Sequence, residues 1–377
     1  MAALAQTAGK PSEAEIARRR AAKASAPPKA PKAPAAAPDA AAAAASAAAA
    51  AAAQFDALRA FGADVGEVVD VGCNLLARGS DEDVSRQLDR AAAAGVSRIV
   101  LTGCDVAGSE KGLAFCERWL DDAPLADVPL GNGIARAKVY CTAGVHPHDA
   151  SSFDAGTLSQ LEVIASHALC VAVGECGLDY DRMFSPREAQ LFAFEAQARL
   201  AKKLRLPVFA HVRERDEGEP LGAYADAVAI LTAVGLAPRD VLVHCFTGNA
   251  AELESVQRFG ARLGFTGYVG IAKRNSATIA ALRGAGVGIE ALQSGELVIE
   301  TDSPFMSPDK TYLPTATAKQ LGLRGGANEP CVLPAVARAL GDALRVPAAD
   351  VARLTTAAAV EFFRLEDADA RARAPRT

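Results

Sequence analysis

Eight short apolar runs recur about every 25 to 40 residues after the first sixty positions, and this repeat constrains the fold more than any other feature of the chain. Amphipathic segments with apolar residues at helical spacing separate the runs, so strand and helix should alternate. Because the runs are apolar throughout, each strand should be buried on both faces, which favours an α/β fold of the (β/α)8 TIM-barrel type over an open doubly wound sheet. No glycine-rich phosphate-binding fingerprint follows the first run, which also argues against the open sheet. The eight runs are EVVDVGCN, SRIVLTGC, KVYCTAGVHP, CVAVGECGLD, LPVFAHVR, DVLVHCFTG, ARLGFTGYVG and ELVIETDSP.

Residues 1–53 differ in composition from the rest of the chain. They are mostly Ala, Pro, Lys and Arg, with almost no large side chain and no apolar period, so we expect a disordered low-complexity tail before a barrel domain at 60–370. An organellar targeting segment is the alternative, but Glu13 and Glu15 are unusual in a transit peptide. The alanine run at 40–53 is too short and too weakly apolar to span a membrane. We therefore expect a cytoplasmic protein, or an organellar one if the tail is a transit peptide, with a nuclear location as a further possibility.

The charge of the chain is unevenly distributed. Residues 1–53 carry seven Lys and Arg against three Asp and Glu, which leaves 33 against 42 in the remainder, a net charge of −9. A domain that bound long nucleic acids mainly by counterion release would have the opposite sign. If the barrel acts on phosphates, we expect it to use metal ions.

The eight cysteines are scattered, without CxxC pairs or regular short spacing. Most lie in or just after apolar runs. This pattern predicts reduced thiols that act as small buried hydrophobic residues, and it argues against structural zinc or disulfides.

Polar residues that suit chemistry are concentrated where the predicted strands end, the edge at which TIM barrels carry their active sites. Four of the five histidines are there. Imidazole and carboxylate groups on one rim are suitable ligands for Mg, Mn or Zn, and a bound metal can ionise water and polarise a phosphoryl or carbonyl oxygen. The residues together indicate a metal-dependent hydrolase. They are His146 and His148 after strand three, Glu175 and Asp179 at strand four, His211 and Arg213 at strand five, His244 at strand six, and Glu300 and Asp302 at strand eight.

Several longer strings in the same order resemble the signature blocks of the TatD family of metal-dependent deoxyribonucleases. The resemblance extends from about Val68 to Phe363 and implies a TIM barrel of the amidohydrolase type. It also implies a divalent-metal deoxyribonuclease, a 3′-5′ exonuclease on single-stranded DNA or frayed ends. From the sequence itself we expect neither membrane association nor an obligate protein partner. The strings are TAGVHPHD, VAVGECGLDYDR, LPVFAHVR, VHCFTG, GFTGYV and VIETDSP.

The resemblance also implies roles for individual residues. Glu175 would be the carboxylate shared by the metal ions, with His211 and His244 as imidazole ligands. Asp302 would orient the attacking water and touch a metal, and His146 would lie near the scissile phosphate. The expected catalytic residues are thus Asp302, Glu175 and His146. His146 would also bind substrate, together with Asn74 and Arg213 at the same rim. Asp179 is expected to form hydrogen bonds at the rim without binding metal.

The end of strand one departs from many family members, which have His-x-His where this chain has Gly72 and Asn74. The GxN form resembles a TatD-type subfamily trait. Without two imidazoles, one metal position should be weaker and should favour Mg or Mn over Zn, with one or two ions bound. Cys73 is expected to be an inward-packed spacer.

Two other functions are compatible with these residues. The same barrel and ligand set also serve amide and ester hydrolysis of small molecules, although no lysine ends strand four, where many binuclear amidohydrolases carry a carboxylated one. An inactive metal-binding scaffold is the third possibility.

Overall fold

A computed structural model describes residues 40–77, 79–121, 135–215, 219–323 and 327–372. Within these ranges, eight parallel strands form one sheet in the order β1 to β8, each pairing with its neighbours along the chain. Backbone bonds between the ends of β1 and β8 join the two edges, since Asp302 N donates to Gly72 O at 2.9 Å and Asn74 N donates to Ser303 O at 2.7 Å. The predicted TIM barrel is confirmed.

The strands coincide with the eight apolar runs of the sequence. Every residue of β1 and β4 is buried, as expected for strands covered on both faces. The bounds are β1 Val68–Cys73, β2 Val96–Leu101, β3 Lys138–Ala143, β4 Cys170–Asp179, β5 Val208–Arg213, β6 Val241–Val243, β7 Arg262–Phe265 and β8 Leu297–Ile299.

Helices lie between consecutive strands and pack around the sheet. Their first turns carry capping residues that the sequence supplies: Ser80 caps the second helix, and Asn249 with Glu252 forms a capping box on the seventh. The bounds are α1 Ala40–Gly62, α2 Asp81–Ala93, α3 Val106–Asp121, α4 Ala155–Ala165, α5 Arg187–Leu204, α6 Ala223–Val234, α7 Ala250–Phe259, α8 Ser276–Gly284, α9 Ile289–Gln293, α10 Thr315–Gln320, α11 Leu333–Leu344, α12 Ala348–Phe362 and α13 Leu365–Ala372.

The first helix corrects the expectation of a disordered tail up to residue 53 and a domain that begins at 60. Residues 40–53 are helical, and the compact unit that contains the barrel begins at Ala50. Leu58 is fully buried in a small apolar cluster with Leu321 and Val332, and Gln54 Nε2 donates to the Leu321 carbonyl at 2.7 Å. Alanine is the best helix former but buries little surface, so it leaves no apolar period in the sequence. Residues 1–39 of the predicted tail lie outside the described residues.

All eight cysteines are free thiols, and six of them are buried, as predicted from their positions. Cys73 is completely buried, and its Sγ lies 3.7 Å from the carbonyl oxygen of Val100 on β2. It is therefore a packed spacer in β1.

In the part of the chain that the structure describes, no helix has both the length and the hydropathy that a bilayer crossing requires.

Candidate metal centre

A cavity of about 810 Å³ opens at the carboxyl ends of the strands, and we call it the central cavity. Parallel strands of a barrel all end on one face, so residues far apart in sequence converge there. Each site residue predicted from the sequence lines this cavity. They are Asn74, His146, Glu175, His211, Arg213, His244 and Asp302.

Glu175 on β4 is the centre of the polar cluster. Its Oε1 atom lies 2.8 Å from His244 Nε2, 2.9 Å from His211 Nδ1 and 3.3 Å from His146 Nε2. The ligand atoms of His146, Glu175 and His211 all lie within 4.8 Å of one another. We call Glu175, His146, His211, His244 and Asp302 the candidate metal centre.

Charge interactions within the centre outweigh the effect of burial on Glu175 and His244. Burial acts to raise the pKa of Glu175, but the imidazoles of His244 and His146 hold it well below its usual range. Burial acts to lower the pKa of His244, yet the carboxylates of Glu175 and Glu300 hold it well above its usual range. Glu175 is therefore a carboxylate in this environment, available as an anionic ligand.

Asp302 follows β8 and faces the same cavity. Asn74 Nδ2 donates to its Oδ1 at 2.9 Å, so the amide at the end of β1 fixes the position of this acid. Burial raises the pKa of Asp302 to about 8, and the nearby carboxylates of Glu175 and Glu300 also raise it. The thiol of Cys104 lies 3.3 Å from Asn74 Oδ1 and 3.6 Å from Glu175 Oε2.

Glu300 lies behind His244 and has no exposed surface. Its Oε1 accepts a hydrogen bond from the backbone N–H of Cys245 at 2.6 Å. Its Oε2 is 3.5 Å from His244 Nδ1 and has no hydrogen-bond partner among the described residues. The side chain fills space left by two glycines, since a Cβ at Gly72 would lie 2.4 Å from Oε2 and one at Gly264 would lie 2.6 Å from Oε1.

A second carboxylate orients His211. Asp179 Oδ2 lies 3.2 Å from His211 Nε2 and 2.9 Å from His148 Nε2. Burial acts to raise the pKa of Asp179, but the hydrogen bonds from His148 and His211 lower it strongly. Asp179 therefore contacts the rim through hydrogen bonds, as the sequence predicted, although it is the last residue of β4 and not part of a loop.

Arg213 ends β5 at the wall of the cavity. Its Nη2 lies 2.8 Å from Asp181 Oδ2, and about a quarter of its side chain is exposed. The guanidinium group is thus held at the rim by an acid from the neighbouring strand end. A rigid planar donor at this place suits a phosphate oxygen.

Two features of the site were not assigned from the sequence, the roles of Glu300 and of Cys104. Glu300 stands two residues before Asp302 at a strand end, so the strand-end pattern includes it. Its contact with His244 reaches from the end of β8 to the end of β6 past Gly264 of β7, and the sequence does not report that. Cys104 was classed with the buried thiols because it follows an apolar run.

The donor set fits a divalent cation. Imidazole nitrogens from three strand ends surround one carboxylate oxygen, and a second acid, Asp302, stands beside them. The carboxylates of Glu175 and Glu300 raise the pKa of the buried Asp302, an interaction that a cation among them would relieve. Nitrogen and oxygen donors of this kind bind Zn, Mn and Mg.

A TIM barrel that carries such a cluster at the carboxyl ends of its strands belongs to the class of metal-dependent hydrolases. The sequence profile of the family "TatD related DNase" matches residues 69–364. The chain therefore belongs to the TatD-related DNase family, whose members hydrolyse phosphodiester bonds.

Individual relatives agree with this assignment. The chain is 33% identical over 299 residues to the 3′-5′ ssDNA/RNA exonuclease TatD of Pectobacterium parmentieri, covering 78% of this chain and 99% of the relative. It is 35% identical over 266 residues to the protein of the same name from Cronobacter sakazakii, covering 70% and 86%. Among solved structures, a TatD-family hydrolase from Entamoeba histolytica superposes with a TM-score of 0.63 at 20% identity, covering 79% of this chain and 98% of that one.

Proposed function

We propose that the protein is a divalent-metal-dependent 3′-5′ exonuclease that acts on single-stranded DNA. The observation that carries the proposal is the convergence of three imidazole nitrogens on one oxygen of Glu175 inside the central cavity. The names of the relatives from Pectobacterium and Cronobacter support the polarity and the single-stranded substrate, and they include RNA as a second substrate.

Glu175, His211 and His244 would hold the metal, with Asp302 as a further oxygen ligand. A divalent cation supplies Lewis-acid chemistry: it neutralises charge on the phosphoryl oxygens and lowers the pKa of water. His211 is oriented by Asp179, and His244 by Glu300, so each imidazole presents a fixed nitrogen to the cavity.

Asp302 would accept the proton of the attacking water as a carboxylate, since a bound cation would lower the pKa that burial raises. Its Oδ1 is held by Asn74, which keeps the carboxylate aimed into the cavity beside Glu175. Asn74 thus contributes to the reaction through the position of this base.

His146 and Arg213 would contact the phosphate of the substrate. His146 Nε2 lies 3.3 Å from both Glu175 Oε1 and His211 Nδ1, so the imidazole borders the centre and can donate to a phosphate oxygen there. Burial lowers the pKa of His146, and a neutral imidazole can also serve as a metal ligand. Arg213 would pair with a non-bridging oxygen from the rim.

We infer that Mg or Mn is the working metal, with one or two ions bound and Zn as the alternative. The end of β1 offers Asn74 in place of two imidazoles, so the oxygen ligands Glu175, Asp302 and Asn74 carry more of the coordination. Hard oxygen ligands favour Mg and Mn.

The test is the digestion of single-stranded DNA labelled at either end, with a series of divalent metals. Loss of nucleotides from the 3′ end, blocked by a phosphorothioate cap at that end, is the expected result. His244→Ala should lower metal affinity and activity by at least about 100-fold, since even the outer partners of metal ligands cost 10- to 100-fold. His167→Ala is the matched control, because His167 contacts Glu117 outside the cavity.

Other outcomes of this experiment would support a different function. Intact oligonucleotides under conditions where calorimetry shows bound metal would exclude the nuclease. Turnover of amide or ester reporters in place of phosphodiesters would then indicate a small-molecule hydrolase, and metal binding without any turnover would indicate an inactive scaffold. Parallel digests of RNA and DNA measure the preference between the two.

The cellular location of the protein stays a prediction. We infer a cytoplasmic enzyme, with an organelle as the alternative if residues 1–53 direct import. Microscopy of fluorescent fusions with and without residues 1–53 distinguishes these locations.

A further inference from the structure

Two phenylalanines with large exposed rings line the central cavity. Phe184 is 67% exposed and Phe305 is 48% exposed, in a chain whose other cavity-lining residues are mainly polar. A single exposed apolar residue needs no explanation, but two at the mouth of one functional cavity indicate a ligand with apolar faces.

The two rings follow strands on opposite sides of the barrel. Phe184 follows β4 and Phe305 follows β8, and strands four apart in a ring of eight are diametrically opposed. The candidate metal centre takes its residues from the ends of β3, β4, β5, β6 and β8 of the same ring.

Each phenylalanine is anchored to the candidate metal centre. The Phe184 ring meets the His148 ring at 4.7 Å, edge to face, and His148 bonds Asp179, which orients His211. The backbone N–H of Phe305 donates to the Asp302 carbonyl at 2.9 Å. A group stacked on either ring would therefore be held at a fixed distance from the reacting phosphate.

Arginines from three loops surround the same mouth. Arg182 follows β4, Arg215 follows β5 and Arg274 follows β7, and all three are exposed. Two acids of the rim accept hydrogen bonds from the backbone. Glu214 accepts from the N–H groups of residues 221–223, and Glu252 accepts from the N–H group of residue 249. The mouth thus offers guanidinium groups to an anionic chain although the barrel as a whole is acidic.

We propose that Phe184 and Phe305 are stacking surfaces for unpaired nucleobases on the two sides of the scissile phosphate. The inference rests on the proposed nuclease function and specifies its substrate class. Every base has a π face, so stacking accepts any sequence. Paired bases keep both faces inside the duplex stack, so double-stranded DNA would gain nothing from these rings, and the enzyme selects single strands or frayed ends.

The experiment compares Phe184→Ala and Phe305→Ala on two oligonucleotides, one of normal thymidylates and one with abasic residues on both sides of the 3′-terminal phosphodiester. Each variant should raise KM and the dissociation constant for the normal strand by about 5- to 100-fold, with kcat little changed. On the abasic strand, variants and wild type should be equal. Binding is measured by fluorescence anisotropy, and turnover by release of the terminal nucleotide.

The control is Phe192→Ala. Phe192 is 61% exposed on α5 and packs edge-on against Phe153, outside the cavity, so it tests the loss of an exposed ring without a change at the mouth. Its KM should match that of the wild type.

Two outcomes would overturn the inference: equal binding of the normal strand by wild type and variants, or equal losses on normal and abasic strands. Failure of the proposed function looks different, since the wild type would then hydrolyse neither strand with any metal. Anisotropy still tests stacking in that case, because it needs no turnover.

Discussion

At the scale of single residues, Glu300 is the least expected member of the site. Its side chain contacts the ring Nδ1 of His244 and accepts a hydrogen bond from the backbone N–H of the next residue, Cys245. A carboxylate behind a metal-binding imidazole fixes the ring and makes it a stronger ligand. Burying a carboxylate has a desolvation cost, and the contact with His244 offsets part of it.

Glu300→Gln should therefore weaken metal binding by about 10- to 100-fold. Without metal, the variant should unfold at a lower temperature than the wild type, because His244 loses the carboxylate with which it pairs. Calorimetric titration with Mn and thermal unfolding in EDTA measure the two effects. Glu366→Gln, at an exposed acid on α13, is the control. A variant that binds Mn normally but unfolds earlier would show that Glu300 is a structural residue.

The sequence predicted the residues that line the cavity but not how they contact one another. Glu175, His211, His244 and Asp302 stand out because each ends an apolar run, and their roles as ligands stay predictions. The contact of Glu300 with His244 and the bond from Asn74 to Asp302 connect strands far apart in sequence. Such contacts depend on the register between strands and on the space left by glycines. The spacing of residues along the chain reports neither.

At the scale of elements, the eight strands were predictable because both faces of each are buried, which gives unbroken apolar runs. Helix α1 was not, since its alanines produce neither an apolar face nor a helix-breaking signal. Its second half nevertheless packs through Phe55 and Leu58 onto the cluster that contains Leu321 and Val332. Local composition was thus a poor guide where tertiary contacts from a distant segment decide the structure.

Leu58→Ala tests the contribution of this helix. The side chain is fully buried, so its truncation should lower the free energy of unfolding by about 2 to 5 kcal/mol. Urea denaturation followed by circular dichroism measures the change. The control is Val163→Ala on α4, which is 75% exposed and should stay within about 0.5 kcal/mol of the wild type. Equal stabilities for both variants would mean that α1 does not support the barrel.

At the scale of the whole molecule, the barrel is acidic, and the positive charge that can bind an anionic substrate is supplied by the arginines around the central cavity. The net charge of −9 after residue 53 opposes long-range attraction of nucleic acid, whereas arginines are grouped around the central cavity. Binding should therefore depend on salt less steeply than for a basic nucleic-acid-binding protein.

Arg274→Gln should reduce the slope of log affinity against log salt by about 0.7, the value for one phosphate contact on a single strand. Anisotropy titrations of an oligonucleotide between low and high salt give the slope. Arg258→Gln is the control, because Arg258 pairs with Glu254 on the exposed side of α7. Identical slopes for wild type and Arg274→Gln would exclude a phosphate contact at this arginine.

The pH dependence of stability should reflect Asp70, which is buried in β1. Burial raises the pKa of Asp70 to about 7, although hydrogen bonds from Thr301 and Gly72 oppose the shift. A raised carboxyl pKa stabilises the fold below the unfolded value of 3.8, and that contribution is lost as pH rises through 7. Between pH 5 and pH 8 the wild type should lose about 3 kcal/mol relative to Asp70→Asn.

Urea midpoints in EDTA across this pH range measure the effect. Asp367→Asn, at an exposed acid on α13, should give a curve parallel to that of the wild type. A parallel curve for Asp70→Asn as well would show that Asp70 is ionised in the folded protein throughout the range.

Cys245 and Asp302 adopt left-handed backbone conformations, with φ of 45° and 50°, although neither is glycine. Each such residue costs about 1 to 2 kcal/mol, and here both costs fall at the candidate metal centre. Directed evolution for heat resistance alone should therefore enrich Cys245→Gly and Asp302→Asn, and assays of the selected clones should find the second inactive. In this barrel, relief of backbone strain at Asp302 should raise stability and abolish catalysis, whereas relief at Cys245 should raise stability alone.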